Sequence, residues 1–301
     1  MRIIINSILF LVILFCAGCL RLDDNLYNPD NSIDAYLFDD YAGETNFKTG
    51  SAYDIPQGLT HLITLDSKGP QDAEPHRIYA VYIGDISKIG TDTVIMYCHG
   101  NSGHMDAYWE RAKLLAHTGG KNRFGVMMVD YRGYGLSEGK STEKGLYADV
   151  DAALQWLKEQ GLSGDRLVMY GFSMGTAPAT EITANPKDFS LTPSWLILEA
   201  PFASAAVMIQ DGSRLALPAE YLVDLKIDNA EEIKKVQQPF LWIHGIDDNF
   251  LSIRTHGEVV YRNYGGSRRE AVRVPGAGHA DVPEIMGYNE YMGAIEVFIR
   301  R

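Results

Sequence analysis

The sequence predicts an α/β fold, a mostly parallel central sheet flanked by helices. Two observations carry that reading. From residue 59 onward, short apolar and β-branched runs alternate with stretches of helical period. The runs are apolar throughout instead of alternating with polar residues, as strands covered on both faces require. Size and composition agree: 301 residues, 46% hydrophobic and 22% charged, suit one α/β domain. No solenoid or heptad repeat is present.

Taken in order, residues 1–18 differ in kind from the rest. Arg2 precedes an apolar run over residues 3–15, followed by Cys16, Ala17, Gly18 and Cys19. A charged start, an apolar middle and small residues before a break describe a secretory leader. Ala17-Gly18-Cys19 also resembles the bacterial lipoprotein signal, in which cleavage leaves a lipid-modified cysteine, here Cys19. Cys16 stands where that pattern usually carries Leu. An uncleaved apolar anchor and plain secretion are the alternatives. Each places the domain outside the cytosol, and the lipoprotein reading places it in a bacterial cell envelope, anchored to a membrane and facing the periplasm or exterior. Residues 19–58, rich in Asp, Asn, Tyr and Gly and without a period, read as a tether and loosely structured lead-in.

The main domain is expected over residues 59–301. Paired strands at 59–65 and 78–83 flank a turn at 68–75. Further strands are expected at 94–98, 125–130, 167–171, 195–199, 240–244 and 271–274. Helices are expected at 105–117, 143–160, 174–184, 253–262 and 289–300, with an apolar stripe from Ala148 to Leu157 in the second. Only residues 202–228 break the rhythm. They carry Met208, Leu215, Leu217, Tyr221 and Leu222 and read equally as a small lid or as a packing helix with a loop.

Several function classes are excluded. A net charge of −12 with scattered basic residues argues against nucleic acid. With the leader cleaved and Cys19 acylated, Cys98 alone remains, so no intramolecular disulfide is available. Cys98 lies in the apolar run Val94–Cys98 and reads as a small core residue. No CxxC or His/Cys cluster suggests a metal, and no cofactor is called for.

Gly171-Phe172-Ser173-Met174-Gly175 carries the chemistry. It follows an apolar strand and precedes a helix-prone segment, the setting of a nucleophile elbow. The serine must sit on a strained turn, and side chains at the flanking positions would collide with backbone, hence the glycines. The following helix aims its N-terminus at a developing oxyanion. Pro178 falls early in that helix and removes a donor, so its start should adjust locally.

Four other segments share this order: His99-Gly100-Asn101-Ser102-Gly103, Asp130-Tyr131-Arg132-Gly133-Tyr134-Gly135-Leu136-Ser137, Leu198-Glu199-Ala200-Pro201-Phe202 and His244-Gly245-Ile246-Asp247-Asp248. Together with Ser173 they resemble the Bem46-like, serine aminopeptidase-like branch of the α/β-hydrolases, from about residue 59 to the C-terminus. The resemblance implies the α/β-hydrolase fold with a short lid-like insertion. It implies backbone N–H donors from Asn101 and Met174 for an oxyanion hole. Its spacing after His244-Gly245 selects Asp248 as the acid, with Asp247 the competitor and Glu199 a distant third. Ser252 stands where family members often carry proline. Asp130 and Arg132 read as structural, with a substrate role as the alternative, and His99 as a hydrogen-bonded structural residue.

The base should come last. Pro275-Gly276-Ala277-Gly278-His279-Ala280-Asp281 is a flexible loop after a strand, and the order Ser173, Asp248, His279 is that of α/β-hydrolases. His61, His76, His104, His117 and His256 lack this setting and read as surface or structural. The expectation is a serine hydrolase acting on a small-molecule ester, thioester or amide, carboxylesterase-like, with acyl transfer or a non-catalytic binding role as alternatives.

Overall fold

The computed structural model describes residues 26–41, 47–120, 124–213 and 225–301. The leader with Cys16 and Cys19, and residues 214–224 of the expected insertion, lie outside them. Eight strands form one sheet: β1 (Thr60–Ser67), β2 (His76–Ile83), β3 (Val94–Cys98), β4 (Gly125–Val129), β5 (Leu167–Phe172), β6 (Trp195–Glu199), β7 (Phe240–Gly245) and β8 (Arg269–Val274). Their spatial order is β8-β7-β6-β5-β3-β4-β2-β1. β2 runs antiparallel to both β1 and β4, and every other pair is parallel. β3, β4 and β5 are buried at every residue, which is why they read as unbroken apolar runs, whereas the edge strands β1 and β8 carry exposed positions.

The pleat sends successive side chains to opposite faces and so builds two cores. Val94, Met96 and Cys98 pack with helices α2 (Glu143–Glu159), α3 (Thr176–Ala184) and α6 (Gly257–Asn263). Ile95 and Tyr97 face α1 (Trp109–His117) and α8 (Tyr288–Arg300). The remaining helices are α4 (Ala205–Ser213), α5 (Asn229–Glu232) and α7 (Val282–Met286). Helix α2 shows how local chemistry sets the bounds. Thr142 Oγ1 accepts the Gly145 N–H at 3.1 Å, closing the N-terminus. At the other end Gly161 turns to φ 95° and the Leu162 N–H reaches the Leu157 carbonyl, a left-handed cap. Leu146, Val150, Leu154 and Leu157 form its buried stripe, each contributing about 1.5–3 kcal/mol. No helix among the described residues is long and apolar enough to cross a membrane.

Three expectations need correction. The helix expected at 253–262 begins only at Gly257, because residues 252–256 form a turn in which the Thr255 and His256 N–H groups bond the Ser252 carbonyl. The helix expected from residue 105 opens as a 3₁₀ turn, Met105–Tyr108. The lead-in is no loose tether where it is described. Asn28 and Pro29 pair with Ser102 and Gly103. The Leu37 and Phe38 N–H groups bond the buried Asp106 carboxylate, and Phe47 and Ile55 are buried in the α1 core. The compact unit therefore starts well before residue 59. Its apolar residues are too sparse to show a period; they become structural only by docking on an existing surface.

Candidate active site

The loops after β5, β7 and β8 all leave the carboxyl edge of the parallel sheet, where such folds open their ligand crevice. Ser173 lies on the first. It takes φ 52°, a left-handed conformation that costs a non-glycine residue about 1–3 kcal/mol. The elbow is held by close approach: a Cβ on Gly175 would overlap the Cys98 carbonyl, and one on Gly171 would lie 2.6 Å from the Gly175 carbonyl oxygen. Ser173–Gly175 form a 3₁₀ turn and α3 starts at Thr176. Pro178 is thus the third residue of the helix, where no intrahelical partner would await its N–H. The helix start has adjusted as the proline demands.

His279 Nε2 lies 2.9 Å from Ser173 Oγ, and its Nδ1 lies 2.8 Å from Asp248 Oδ2. Asp248 Oδ1 accepts the Phe250 and Leu251 N–H groups at 2.8 and 2.7 Å. Burial opposes the charge on this carboxylate, but hydrogen bonds from the His244 and His279 rings and from the Leu251 amide prevail and hold it well below the usual carboxylate range. With Asp248 anionic, His279 presents its Nδ1–H to the carboxylate and the lone pair of Nε2 to the serine. The competitor, Asp247, is exposed and points away; its Oδ2 accepts the Gly276 N–H at 2.9 Å and so ties down the loop carrying His279.

Asn101 and Met174 flank Ser173. The Asn101 side chain is fixed from three sides: Oδ1 accepts the Tyr134 hydroxyl at 2.7 Å and the Asn28 N–H at 3.1 Å, and Nδ2 donates to the Leu26 carbonyl. A cleft of about 540 Å³ opens over Ser173 and His279, bordered by Asn101, Ser102, Tyr108 and Asp281. A much smaller apolar slot of about 40 Å³ adjoins Ser173 on the Met174 side, walled by Phe202, Ala205, Met208, Leu225 and Ile227. The described ends of the 202–228 segment therefore pack and also line a pocket. Leu215, Leu217, Tyr221 and Leu222 lie outside the described residues.

A family model of the α/β-hydrolase fold matches residues 93–189. The α/β hydrolase domain-containing protein 17C of Mus musculus is 32% identical over 209 residues, 68% of this chain and 59% of that protein. The α/β hydrolase domain-containing protein aho-3 of Caenorhabditis elegans is 33% identical over 200 residues, 65% of this chain and 55% of that protein. The chain belongs to the α/β-hydrolase superfamily. It spans little more than half the length of these two relatives. Among solved structures, the Pyrococcus furiosus esterase Pf2001 matches with a TM-score of 0.66 at 16% identity, over 91% of this chain and 98% of that one. Est1E of Butyrivibrio proteoclasticus, solved with ferulic acid, matches with a TM-score of 0.59 at 18% identity, over 79% and 98%. At such identities the likeness speaks for the α/β-hydrolase fold.

Other motif residues of this α/β-hydrolase serve the scaffold. Glu199 is buried in a network with Arg111, Tyr170 and Tyr291, far from the role of triad acid. Arg132 holds Asp149 and Asp72. His99 lies 3.1 Å from Asp130, both wholly buried, and is sandwiched by Tyr108 and Tyr131. Cys98 is a buried core residue. Among the described residues no group of His, Cys, Asp and Glu could hold a metal ion. Sequence reasoning missed three contributors. His244, whose Nδ1 accepts the Trp242 indole N–H, places Nε2 3.2 Å from Asp248 Oδ2. Tyr134 touches both Asn101 and the Met174 sulfur. Arg111 lies over Phe172 and donates to the Ala280 carbonyl beside His279. Tyr134 and His244 stood inside these motifs, but Tyr134 takes its task from contact across elements and His244 from the turn after β7 that brings Asp248 back to its ring.

Proposed function

We propose that the protein is a serine hydrolase that cleaves a carboxylic ester through an acyl-enzyme on Ser173. The carrying observation is the continuous hydrogen-bond chain from Ser173 Oγ through His279 to Asp248, at 2.9 and 2.8 Å. His279 Nε2 takes the serine proton as Oγ attacks the carbonyl carbon. The N–H groups of Asn101 and Met174 receive the oxyanion. His279 then returns the proton to the leaving oxygen, the C–O bond breaks, and a water molecule deprotonated by His279 releases the acid. Thioesters and amides follow the same steps. The motif around residues 130–137 supports the Bem46-like branch of the superfamily.

Acyl transfer uses the same three residues with an alcohol in place of water, and the water-accessible cleft favours hydrolysis. A purely binding role is disfavoured because the serine, histidine and aspartate are all in register. A fluorophosphonate probe tests the reading: it should label the protein and fail to label Ser173→Ala. A folded wild-type protein that stays unlabelled would remove the proposal.

The Ala17-Gly18-Cys19 sequence further supports a lipid anchor on Cys19 that holds the domain at a bacterial cell envelope. Cys19→Ser should move the protein from the detergent phase to the aqueous phase on partitioning of whole-cell extracts, and an unchanged distribution would refute the anchor.

A further inference from the structure

Ser173 stands at the junction of two spaces of unlike size and chemistry, and the position of the base decides which part of a substrate enters each. His279 must deliver its proton to the leaving oxygen, so the leaving alcohol lies on the His279 side of the serine. His279 borders the large cleft and is absent from the walls of the apolar slot. Met174, whose N–H is the proposed oxyanion donor after the nucleophile, borders the slot and is absent from the cleft. Asn101, Ser173 and Phe250 border both, and Phe250 lies edge-on to the His279 ring at 5.0 Å. The carbonyl group thus straddles the boundary, with its acyl chain directed into the slot and its alcohol into the cleft.

The two volumes then set the substrate class. The slot offers about 40 Å³ against about 540 Å³ for the cleft. Since a single water needs about 10–15 Å³ on this measure, the slot has room for about three groups of methylene size. Among the described residues that line it, Met174, Phe202, Ala205, Met208, Leu225 and Ile227 are apolar, and Tyr27 is the one polar side chain besides Asn101 and Ser173. The cleft is wider, more open and polar, bordered by Ser102, the Tyr108 ring and the Asp281 carboxylate. We infer that the protein, acting as the proposed serine hydrolase, is selective for short aliphatic acyl groups of about two to four carbons carried on larger alcohols. The inference rests on the hydrolase reading and adds to it a direction of binding and a length limit.

The test is a set of kcat/KM measurements on the purified protein, with fluorophosphonate labelling run in parallel. In a series of p-nitrophenyl esters, the acetate, propionate and butyrate should lead, and the octanoate should fall behind the best of them by roughly 10-fold or more, in line with the cost of surplus methylenes in a closed pocket. Octanoate or palmitate turned over as fast as butyrate would overturn the length limit. Benzyl acetate and methyl phenylacetate are isomers that exchange the large and small sides of the ester. Benzyl acetate should be the better substrate by roughly 10-fold or more; equal or reversed rates would overturn the assignment of the two spaces. Met208→Ala, which removes one slot wall, should shift the preferred chain length upward, and an unshifted profile counts against the slot. Absence of both labelling and turnover would sink the hydrolase reading itself. Labelling without turnover of any short ester would sink the acyl-length inference alone.

Discussion

Asp248 concentrates the electrostatics of the site in one carboxylate. Its two oxygens take the His279 ring, the His244 ring at 3.2 Å and two backbone amides. Asp248→Asn should lower kcat/KM by roughly 10³–10⁴-fold, since the amide cannot hold the histidine tautomer. Adding Ser173→Ala should not multiply that loss, because the residues act as a unit. Linkage gives a second reading of the same group. A folded pKa held below the unfolded value contributes stability above the unfolded value and loses it as pH falls through the folded one. The stability deficit of Asp248→Asn should therefore be full at neutral pH and shrink below about pH 4 in denaturant titrations. A deficit that stays constant on acidification would mean the shift is absent. His256 works in the opposite chemical sense. Burial holds it neutral against the pull of Asp211, and its Nδ1 accepts the Ala203 N–H. The unfolded histidine gains a proton below about pH 6.5 that the folded one resists, so acidification costs stability there. His256→Gln should flatten the slope of Tm against pH between about pH 7 and 5.

At the scale of elements, the turn from β5 into α3 is where sequence and geometry are most tightly coupled. The 3₁₀ turn Ser173–Gly175 postpones the α-helix to Thr176 and places Pro178 in its first turn. In a helix interior, proline costs about 3 kcal/mol or more. Here Pro178→Ala should change stability by less than about 1 kcal/mol, because the missing N–H had no helical acceptor. A gain near 3 kcal/mol in chemical denaturation would show that the helix starts earlier. Ser173 also pins neighbouring elements: Thr176 Oγ1 donates to the Ser173 carbonyl at 2.6 Å, and Asn229 on α5 bonds both Thr176 and the Phe202 carbonyl. The slot wall and the nucleophile are thereby fastened to each other.

The described residues pack an eight-stranded sheet between two large cores, add a smaller apolar cluster around Phe202, Ile227 and Leu251, and are closed at one side by a strap of chain that precedes the first strand. The strap reaches the site, since Leu26 and Tyr27 border the apolar slot and the Leu26 carbonyl receives Asn101 Nδ2. It also buries Phe47 and Ile55, worth about 1.5–3 kcal/mol each, and satisfies the Asp106 carboxylate inside the protein. A chain trimmed to begin at Thr60 should lose several kcal/mol of stability by these burial terms, whereas one beginning at Leu26 should keep its Tm. Equal melting temperatures for the two would show that the strap is dispensable.

The sequence by itself determined the sheet, the elbow and the order of the three polar residues, because each is written in a short stretch. A doubly covered strand must be apolar throughout, and an elbow needs its glycines within five residues of one another. Tertiary structure decided what depends on approach between distant segments. Asp247 and Asp248 are adjacent and chemically identical, and only the turn after β7 sends one to His279 and the other to the Gly276 amide. Glu199 looked like a spare acid until burial beside Arg111 gave it a scaffold role. Tyr134 and Arg111 acquired their roles by contact across elements and His244 by the fold-back of the turn after β7, none of which a periodicity records. The division of the site into a narrow slot and a broad cleft is likewise a property of packed walls, since volume exists only between side chains that the fold has brought together.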